Sequence, residues 1–117
     1  MNSTKSYGKL GEEIARNLLI GRGYRIIAQN FKSYFGEIDI IAKDDDTLVF
    51  IEVKARWSKK FGGPLESITP WKLTRIKKTA EYFYLKHPEL TYSQRIEVCA
   101  IEFENGILKS SEFIEVD

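Results

Sequence analysis

Four charged residues, Glu37, Asp39, Glu52 and Lys54, stand inside strongly apolar segments and are the residues best placed to do chemistry. Buried strands rarely carry free carboxylates, because a buried charge without a partner costs several kcal/mol. The carboxylates are therefore expected to share a partner, such as a cation, that the surrounding aliphatic side chains cannot supply.

A β-hairpin is predicted to bring these residues together. Two segments rich in Ile, Val and Phe, residues 38–42 and 48–55, flank an acidic cluster at residues 44–46. Taking Asp45 and Asp46 as the central turn residues fixes which residues of the two strands lie opposite each other. A shift of one residue would move the charged side chains of one strand to the other face.

In this register Asp39 lies opposite Glu52, and Glu37 lies opposite Lys54. Side chains alternate along a strand, so all four are predicted to share one face of the hairpin. The other face is predicted to carry the aliphatic residues Ile38, Ile40, Ile51 and Val53. Two carboxylates directly opposite each other destabilise a hairpin unless a cation lies between them. At least one of them is therefore expected to have a raised pKa when no metal is bound.

The carboxylate pair suits a hard divalent cation held through oxygen. Asp39 and Glu52 would each offer an oxygen to Mg²⁺, for which Mn²⁺ could substitute, and waters and a substrate phosphate would complete the coordination. Lys54 would orient the attacking water or neutralise charge in the transition state. Phosphodiester hydrolysis is the reaction that fits this set of groups. The alternative is a ladder of ion pairs across the strands, with Glu37 paired to Lys54.

The chain has the size and composition of one globular domain. At 117 residues, with 43% hydrophobic and 30% charged residues, it is expected to fold as a single domain, residues 1–117. No apolar segment approaches the ~20 residues that span a bilayer. The N-terminal residues lack the apolar core of a secretory signal, so a cytoplasmic location is expected. A single cysteine, Cys99, and a single histidine, His87, argue against a disulfide or a zinc site, so any metal must be held by oxygen.

Basic charge is concentrated in the middle of the chain, although the net charge is only +1. Residues 53–86 contain nine Lys or Arg and two Glu, a local balance of +7, and the remainder carries −6. Such asymmetry favours contact with nucleic-acid phosphates, but a solvated helix face with an acidic tail fits equally well. The candidate phosphate contacts are Arg56, Lys59, Lys60 and Lys72. Two of them fall in a basic and aromatic segment, residues 57–64, that suits a surface loop.

Two helices and three further strands are predicted from the rest of the chain. Thr69 as cap and Pro70 as first helical residue begin one helix, and Asn105 with Gly106 forms a hairpin turn. The predicted elements are a helix at residues 6–20, a strand at 24–30, the hairpin, a helix from 70 to about 87, and strands at 95–103 and 107–116. The order α-β-β-β-α-β-β predicts an α/β fold with a mixed five-stranded sheet flanked by two helices.

The first helix is predicted to bury a stripe formed by Leu10, Ile14 and Leu18 and widened by Ala15 and Leu19. Glu12 and Glu13 stand near its start, where carboxylates suit the positive end of the helix dipole. If this helix packs against the hairpin, Glu12 lies at the edge of the carboxylate face.

The sequence resembles that of a nuclease family. Glu37-Ile38-Asp39, a spacer and then Glu52-Val53-Lys54 resemble the signature of the PD-(D/E)XK nucleases. A longer pattern resembles the YraN-like family of small bacterial predicted endonucleases within that superfamily. It consists of Gly8 to Leu19, Asn30, Gly36-Glu37-Ile38-Asp39-Ile40-Ile41, Val49 to Arg56, Phe61-Gly62 and Lys72, and covers most of the chain. The resemblance implies a restriction-endonuclease-like fold, metal binding by Asp39 and Glu52, and a role for Glu12 as an additional metal or water ligand.

Two positions depart from those patterns. The proline that precedes the metal-binding aspartate in the broad signature is Ile38 here, a change compatible with the chemistry because this side chain is not a ligand. The family pattern Arg-Phe-Asp near the fourth strand is Arg95-Ile96-Glu97 in this chain. No role is assigned to Glu37 or Glu97 on this basis.

The hypothesis from the sequence is a Mg²⁺-dependent endodeoxyribonuclease, with branched or junction DNA as one class of substrate. The alternative is a non-catalytic nucleic-acid-binding or scaffold module on the same fold. One domain cuts one strand at a time, so symmetric cleavage of a duplex or junction would require a homodimer. The sequence shows no aromatic platform for single strands, and it does not separate DNA from RNA.

Overall fold

A mixed five-stranded sheet carries one helix on each face. The computed structural model describes residues 3–56, 68–90 and 93–116, with side chains from residue 8 onward. Its elements are α1 (Ser3–Gly21), β1 (Arg25–Ser33), β2 (Gly36–Asp44), β3 (Thr47–Arg56), α2 (Pro70–Lys86), β4 (Ser93–Glu104) and β5 (Ile107–Val116). This order confirms the α/β architecture predicted from the sequence. The segment at residues 57–64, with Lys59 and Lys60, lies outside the described residues.

The strands lie in the sheet in chain order, with β3 at the centre. β3 and β4 run parallel, and every other neighbouring pair is antiparallel. Parallel neighbours need a crossover connection, and α2 lies in that connection. Val49 and Ile51 pack in the core under α1, whereas Leu48 and Phe50 pack in the core under α2. Among the described helices, neither is both long enough and apolar enough to cross a membrane.

The most buried residues of α1 are Gly11, Ala15 and Leu19. Ala15 and Leu19 of the predicted stripe are therefore confirmed, whereas the prediction did not include Gly11. Leu10 is 40% exposed. The prediction relied on apolar side chains alone, whereas a glycine sets the closest approach of this helix to the sheet. A Cβ atom at Gly11 would lie 2.9 Å from Cβ of Ala55 in β3. The N-terminal half of α1 therefore packs directly against β3.

Gly11→Ala is expected to lower the free energy of unfolding by about 1–3 kcal/mol, because the new methyl group overpacks this contact. Gly8→Ala is the matched control: no heavy atom lies within 4 Å of its Cβ position, and alanine favours a helix by up to about 1 kcal/mol. Urea unfolding of both variants measures the difference. Wild-type or greater stability of Gly11→Ala would contradict the close contact.

β1 extends beyond the predicted strand at residues 24–30 and includes Phe31. Phe31 pairs with Ile38 of β2, and its ring packs edge-on against Phe83 of α2 with centroids 5.2 Å apart. These contacts extend the strand to Ser33. Asn30, inside the strand, has a φ of 51°, a conformation that asparagine tolerates better than most residues.

Both hairpins have the predicted turns. In the β2–β3 hairpin Ala42 pairs with Val49, and Asp45 in the turn has a φ of 50°. In the β4–β5 hairpin Asn105 and Gly106 have φ values of 53° and 77°, as a two-residue turn with two left-handed residues requires.

The pairing of β2 with β3 stops at Ile40 and Ile51, so Asp39 and Glu52 are not ladder partners. The prediction for Ile38 was wrong: this residue packs in the core under α2, whereas Ile40 packs under α1. Strict alternation of side chains requires a regular ladder, and the ladder between β2 and β3 ends at this position. The two strands separate here, and the separation creates the site described below.

α2 begins and ends as the sequence predicts. The Thr69 hydroxyl accepts a hydrogen bond from the backbone N–H of Lys72 at 3.0 Å, and Pro70 is the first helical residue. The fully buried residues of the helix are Ile76, Thr79, Ala80 and Phe83. His87 is the C-cap, and its N–H donates to the carbonyl of Tyr84, which confirms its assignment as a helix-end residue.

Candidate active site

A cleft opens where β2 and β3 separate, and Asp39 lines it. The backbone N–H of Val53 donates to Oδ2 of Asp39 at 2.7 Å, so a carboxylate oxygen stands where a regular ladder would place a carbonyl. This bond fixes the Asp39 side chain and joins the two strands beyond their last pair. The cleft has a volume of about 550 Å³, and its lining includes Gly36, Glu37, Glu52 and the first turns of α2.

Glu52 is mostly buried beside Asp39. Only 13% of its side chain is exposed. Burial raises the pKa of Glu52 to about 8, and the hydrogen bond with Asp39 and the negative charge of Asp39 act in the same direction. The positive charges of Lys72 and Lys54 oppose this rise. At neutral pH, without a cation, the Glu52 carboxyl is therefore mainly protonated. This matches the raised pKa expected for one member of the pair.

Two lysines stand beside the carboxyl groups. Nζ of Lys72 lies 3.9 Å from Oε2 of Glu52, and a third of the lysine side chain is exposed. Lys54 is partly buried, and its pKa is lowered chiefly by burial and then by the hydrogen bond and positive charge of Lys72. The predicted phosphate contact Lys72 thus belongs to the wall of the cleft. Arg56, at the end of β3, is also partly buried.

Asn30 links the carboxyl groups to α1. In the amide orientation that satisfies both neighbours, its nitrogen donates to Oε1 of Glu12 at 2.9 Å and to Oε1 of Glu37 at 3.2 Å. Burial raises the pKa of Glu12, as do the negative charges of Asp39 and Glu37, while the hydrogen bond from Asn30 lowers it. Glu12 therefore reaches the edge of the carboxylate cluster. Glu37 and Lys54 form no ion pair in the described part of the chain, so the predicted alternative of a ladder between them is not present.

The carboxyl groups of the cleft suit a magnesium ion whose other ligands are waters and a substrate phosphate better than one held entirely by protein side chains. Within residues 3–56, 68–90 and 93–116, no three Asp, Glu, His or Cys groups are arranged to hold one metal ion. Asp39 and Glu52 supply two adjacent carboxyl groups, and Mg²⁺ is commonly held by one or two carboxylates together with waters and substrate phosphate. A cation bound between the two carboxylates would offset the free-energy cost of holding them close together. The role of Glu12 as a further ligand stays a prediction.

Sequence reasoning gave no role in the site to Asn30, Trp71 or Arg75. Trp71 and Arg75 line the cleft beside Lys72. Their spacing of four residues on a helix whose buried stripe excludes them was the available signal, because such residues lie next to each other on one exposed face. For Asn30 the signal was a polar side chain between apolar residues of a strand.

Glu97 lies on the sheet face covered by α1, the opposite face from Glu52. It is 6% exposed, and its Oε2 accepts hydrogen bonds from Nε of Arg95 at 2.6 Å and from the Tyr24 hydroxyl at 3.4 Å. Arg95 also donates to Asp44 at 2.8 Å. Oε1 of Glu97 finds no hydrogen-bond partner among the residues that the structure describes. This network is separate from the cleft.

Glu52→Gln is expected to stabilise the metal-free protein at about pH 9 and to change little at about pH 5. The folded-state pKa of Glu52 is raised from 4.5 to about 8, so the stability contributed by its protonated form is full below the unfolded pKa and is lost as the pH rises through 8. Glutamine does not ionise, so the variant does not lose this stability as the pH rises. Each unit by which the pKa of Glu52 is raised corresponds to about 1.4 kcal/mol. Urea unfolding in EDTA gives both free energies, with the exposed Glu104→Gln as control. A stability difference that is the same at both pH values would contradict the raised pKa.

The fold and the cleft define a class of protein: a mixed α/β domain with a carboxylate pair and two lysines where neighbouring strands separate. Residues 11–101 match the family described as "Uncharacterised protein family UPF0102", and the chain belongs to that family. A UPF0102 protein of Caldicellulosiruptor bescii is 49% identical over 108 residues, which cover 90% of this chain and 91% of the relative. One of Syntrophus aciditrophicus is 48% identical over 98 residues, 83% of this chain and 76% of the relative. One of Persephonella marina is 43% identical over 110 residues, 94% of each chain.

Proposed function

We propose that this protein is a metal-dependent endonuclease that hydrolyses phosphodiester bonds in DNA, on a restriction-endonuclease-like fold. The observation that carries the proposal is the pairing of Asp39 with Glu52, beside Lys54, in an open cleft. A protein that only binds nucleic acid gains nothing from two adjacent carboxyl groups that repel each other when both are ionised. A divalent cation between them offsets that repulsion.

Asp39 and Glu52 are the residues that would hold Mg²⁺ or, as a substitute, Mn²⁺. When bound, such a cation lowers the pKa of a coordinated water and offsets negative charge on the phosphate. The hydrogen bond from Val53 to Asp39 holds one ligand in place before any cation arrives. Glu52, protonated at neutral pH in the metal-free protein, would release its proton on binding. Glu12, held by Asn30, would be a further ligand for metal or water.

Lys54 is assigned to the attacking water or to the charge that develops on the phosphate. Its lowered pKa makes its ammonium group a stronger hydrogen-bond donor than that of an exposed lysine. Lys72 lies 3.9 Å from Glu52 and would turn to a substrate phosphate once a cation satisfies Glu52. Lys72 thus has a partner in the free protein and would have a different one in the complex.

Positive charge for binding a phosphate backbone comes from α2. Lys72 and Arg75 line the cleft, and Lys78 is exposed further along the helix. Arg56, Lys59 and Lys60 are proposed as additional phosphate contacts. Binding through phosphates releases counterions, so affinity should fall steeply with salt and depend little on base sequence.

The resemblance to the PD-(D/E)XK nucleases and to the YraN-like family supports the same reaction. Its two short motifs, Glu37-Ile38-Asp39 and Glu52-Val53-Lys54, lie on β2 and β3, which are neighbours in the sheet as the signature requires. The site residues also fall inside the segment that matches the family, residues 11–101.

A panel of labelled substrates tests the proposal. Linear duplex, flapped, single-stranded and four-way DNA are incubated with purified protein and Mg²⁺ or Mn²⁺, and EDTA is the control. Metal-dependent cutting of at least one substrate is expected, and two symmetric cuts in a four-way junction would indicate a homodimer. Binding without cutting of any substrate would contradict the proposal and favour a non-catalytic binding or scaffold module.

A further inference from the structure

Three exposed aromatic side chains stand together next to the cleft. Tyr34 is 94% exposed, Trp71 is 69% exposed and Phe35 is 37% exposed. Two basic residues of α2, Arg75 and Lys78, lie among them. We call these five residues the aromatic-basic strip. Exposed aromatic rings that cluster in this way mark a binding surface, because isolated exposure is common but contiguous exposure is not.

Contacts within the strip make it one continuous surface. The Arg75 guanidinium lies over the Trp71 ring at 4.8 Å from its centroid, and Nζ of Lys78 lies 5.9 Å from the centroid of Phe35. Phe35 in turn meets Tyr34 edge to face, with centroids 5.7 Å apart. Each of the two cations thus lies against an aromatic ring, and the cations themselves are three residues apart on one helix, where side chains are neighbours.

The strip begins in the wall of the cleft. Trp71 and Arg75 line the cleft together with Asp39, Glu52 and Gly36. The side chain of Arg75 also approaches Gly36, the residue that follows Phe35, with Nε 3.7 Å from the position of a Cβ there. From this wall the strip continues outward to the turn between β1 and β2. A ligand bound along it would therefore have one end next to the carboxylate pair.

A surface that combines cations with exposed aromatic rings matches a chain of phosphates and bases. Aromatic side chains stack on bases at about 1–3 kcal/mol each, but only when the base faces are free. In a duplex each base is covered by its neighbours in the stack, so a strip of this kind selects unpaired nucleotides. An acidic or purely apolar protein partner would leave either the rings or the cations without a complementary group.

We propose that the aromatic-basic strip binds unpaired nucleotides of a DNA strand and delivers the adjoining phosphate to Asp39 and Glu52. This inference rests on the proposed nuclease function and names its substrate class: DNA with a single-stranded segment, such as a flap, an overhang or an open branch. The strip is not visible in the sequence, because Tyr34 and Phe35 come from a β-turn and Trp71 from a helix, and only the fold brings them together.

Equilibrium binding without cleavage tests the strip. Fluorescence anisotropy in EDTA compares a labelled oligothymidylate of about 16 nucleotides, the upper end of typical single-strand site sizes, with a blunt duplex of equal length. Tighter binding of the oligothymidylate is expected. Trp71→Ala and Tyr34→Ala should each weaken it by about tenfold, from the loss of one stacking contact. Ile107→Ala, a 71% exposed apolar residue on β5, is the control and should bind as wild type does.

A matched pair of charge variants separates the strip from general attraction to DNA. Arg75→Ala and Lys77→Ala remove one exposed cation each from α2, but Lys77 lines a different groove. The former should weaken oligothymidylate binding several-fold more than the latter. Equal effects, wild-type affinity of Trp71→Ala and Tyr34→Ala, or no preference over the duplex would each overturn the inference.

Trp71 itself reports on stacking. Trp57→Phe leaves Trp71 as the single tryptophan of the chain, which has two. Its fluorescence should be quenched when oligothymidylate binds, and unchanged fluorescence at saturation would overturn the inference. These measurements need no metal and no cutting. Quenching without cutting would therefore contradict only the nuclease proposal, whereas cutting without quenching would contradict only the proposal for the strip.

Discussion

Asp39→Asn should abolish Mg²⁺-dependent cutting and weaken divalent-cation binding in the same variant. The amide oxygen can still accept the hydrogen bond from Val53, which is 2.7 Å long in the wild type, so the local fold should be kept. What is lost is the negative charge that a hard cation requires. The expected fall in the single-turnover rate is at least about 100-fold, as for the loss of a group that stabilises the transition state directly. Rapid-quench kinetics and calorimetric titration with Mn²⁺ measure the two effects.

Asp46→Asn is the matched control for this experiment. Asp46 is an exposed aspartate in the turn of the same hairpin, at the end away from the cleft. Its replacement removes the same charge and should leave the cutting rate and the Mn²⁺ affinity at wild-type values. Cutting by Asp39→Asn at the rate of Asp46→Asn would remove Asp39 from the active site.

Arg95→Met should lower the free energy of unfolding by about 3–5 kcal/mol, because it leaves a buried charge without its partner. The side chain of Glu97 is 8% exposed and is paired with Nε of Arg95 at 2.6 Å. Without the guanidinium, Oε2 of Glu97 would keep only the 3.4 Å hydrogen bond from the Tyr24 hydroxyl, and Oε1 already lacks a partner among the described residues. The same substitution also removes the ion pair of Arg95 with Asp44. Urea unfolding at neutral pH measures the effect.

Two further variants test the cause of that loss. Arg95→Met combined with Glu97→Met removes both charges and should recover much of the lost stability. Lys109→Ala removes the exposed ion pair with Glu104 and should cost no more than about 1 kcal/mol. Wild-type stability of Arg95→Met, or a double variant that is less stable than the single one, would contradict the network.

The elements and the β2–β3 register were predictable because their signals are local. Side chains of period two and an acidic turn are contained within a few residues, and Asn105-Gly106 and Thr69-Pro70 carry their own backbone preferences. Ile38 was misplaced because its position depends on where the ladder to β3 ends, which no local pattern records. The exposure of Leu10 and the burial of Gly11 in α1 have a similar origin, since Gly11 matters through its contact with Ala55 in a distant strand.

The residues of the candidate site likewise differ in whether local sequence patterns predict them. Asp39, Glu52 and Lys54 were found because they belong to one hairpin, where spacing alone predicts proximity. Trp71 and Arg75, which line the cleft, and Asn30, which contacts Glu37, come from other elements, and the fold alone brings them there. The partly buried position of Lys72 beside Glu52 likewise depends on how α2 packs on the sheet.

The central claim is tested most directly by single-turnover cleavage with wild type and Lys54→Ala, together with a Mn²⁺ titration of both proteins. Lys54 is placed at the reacting groups but is not a metal ligand, so its loss separates chemistry from cation binding. We predict that Lys54→Ala retains Mn²⁺ binding and cuts about 100- to 1,000-fold more slowly. Cutting by Lys54→Ala at the wild-type rate would contradict the account.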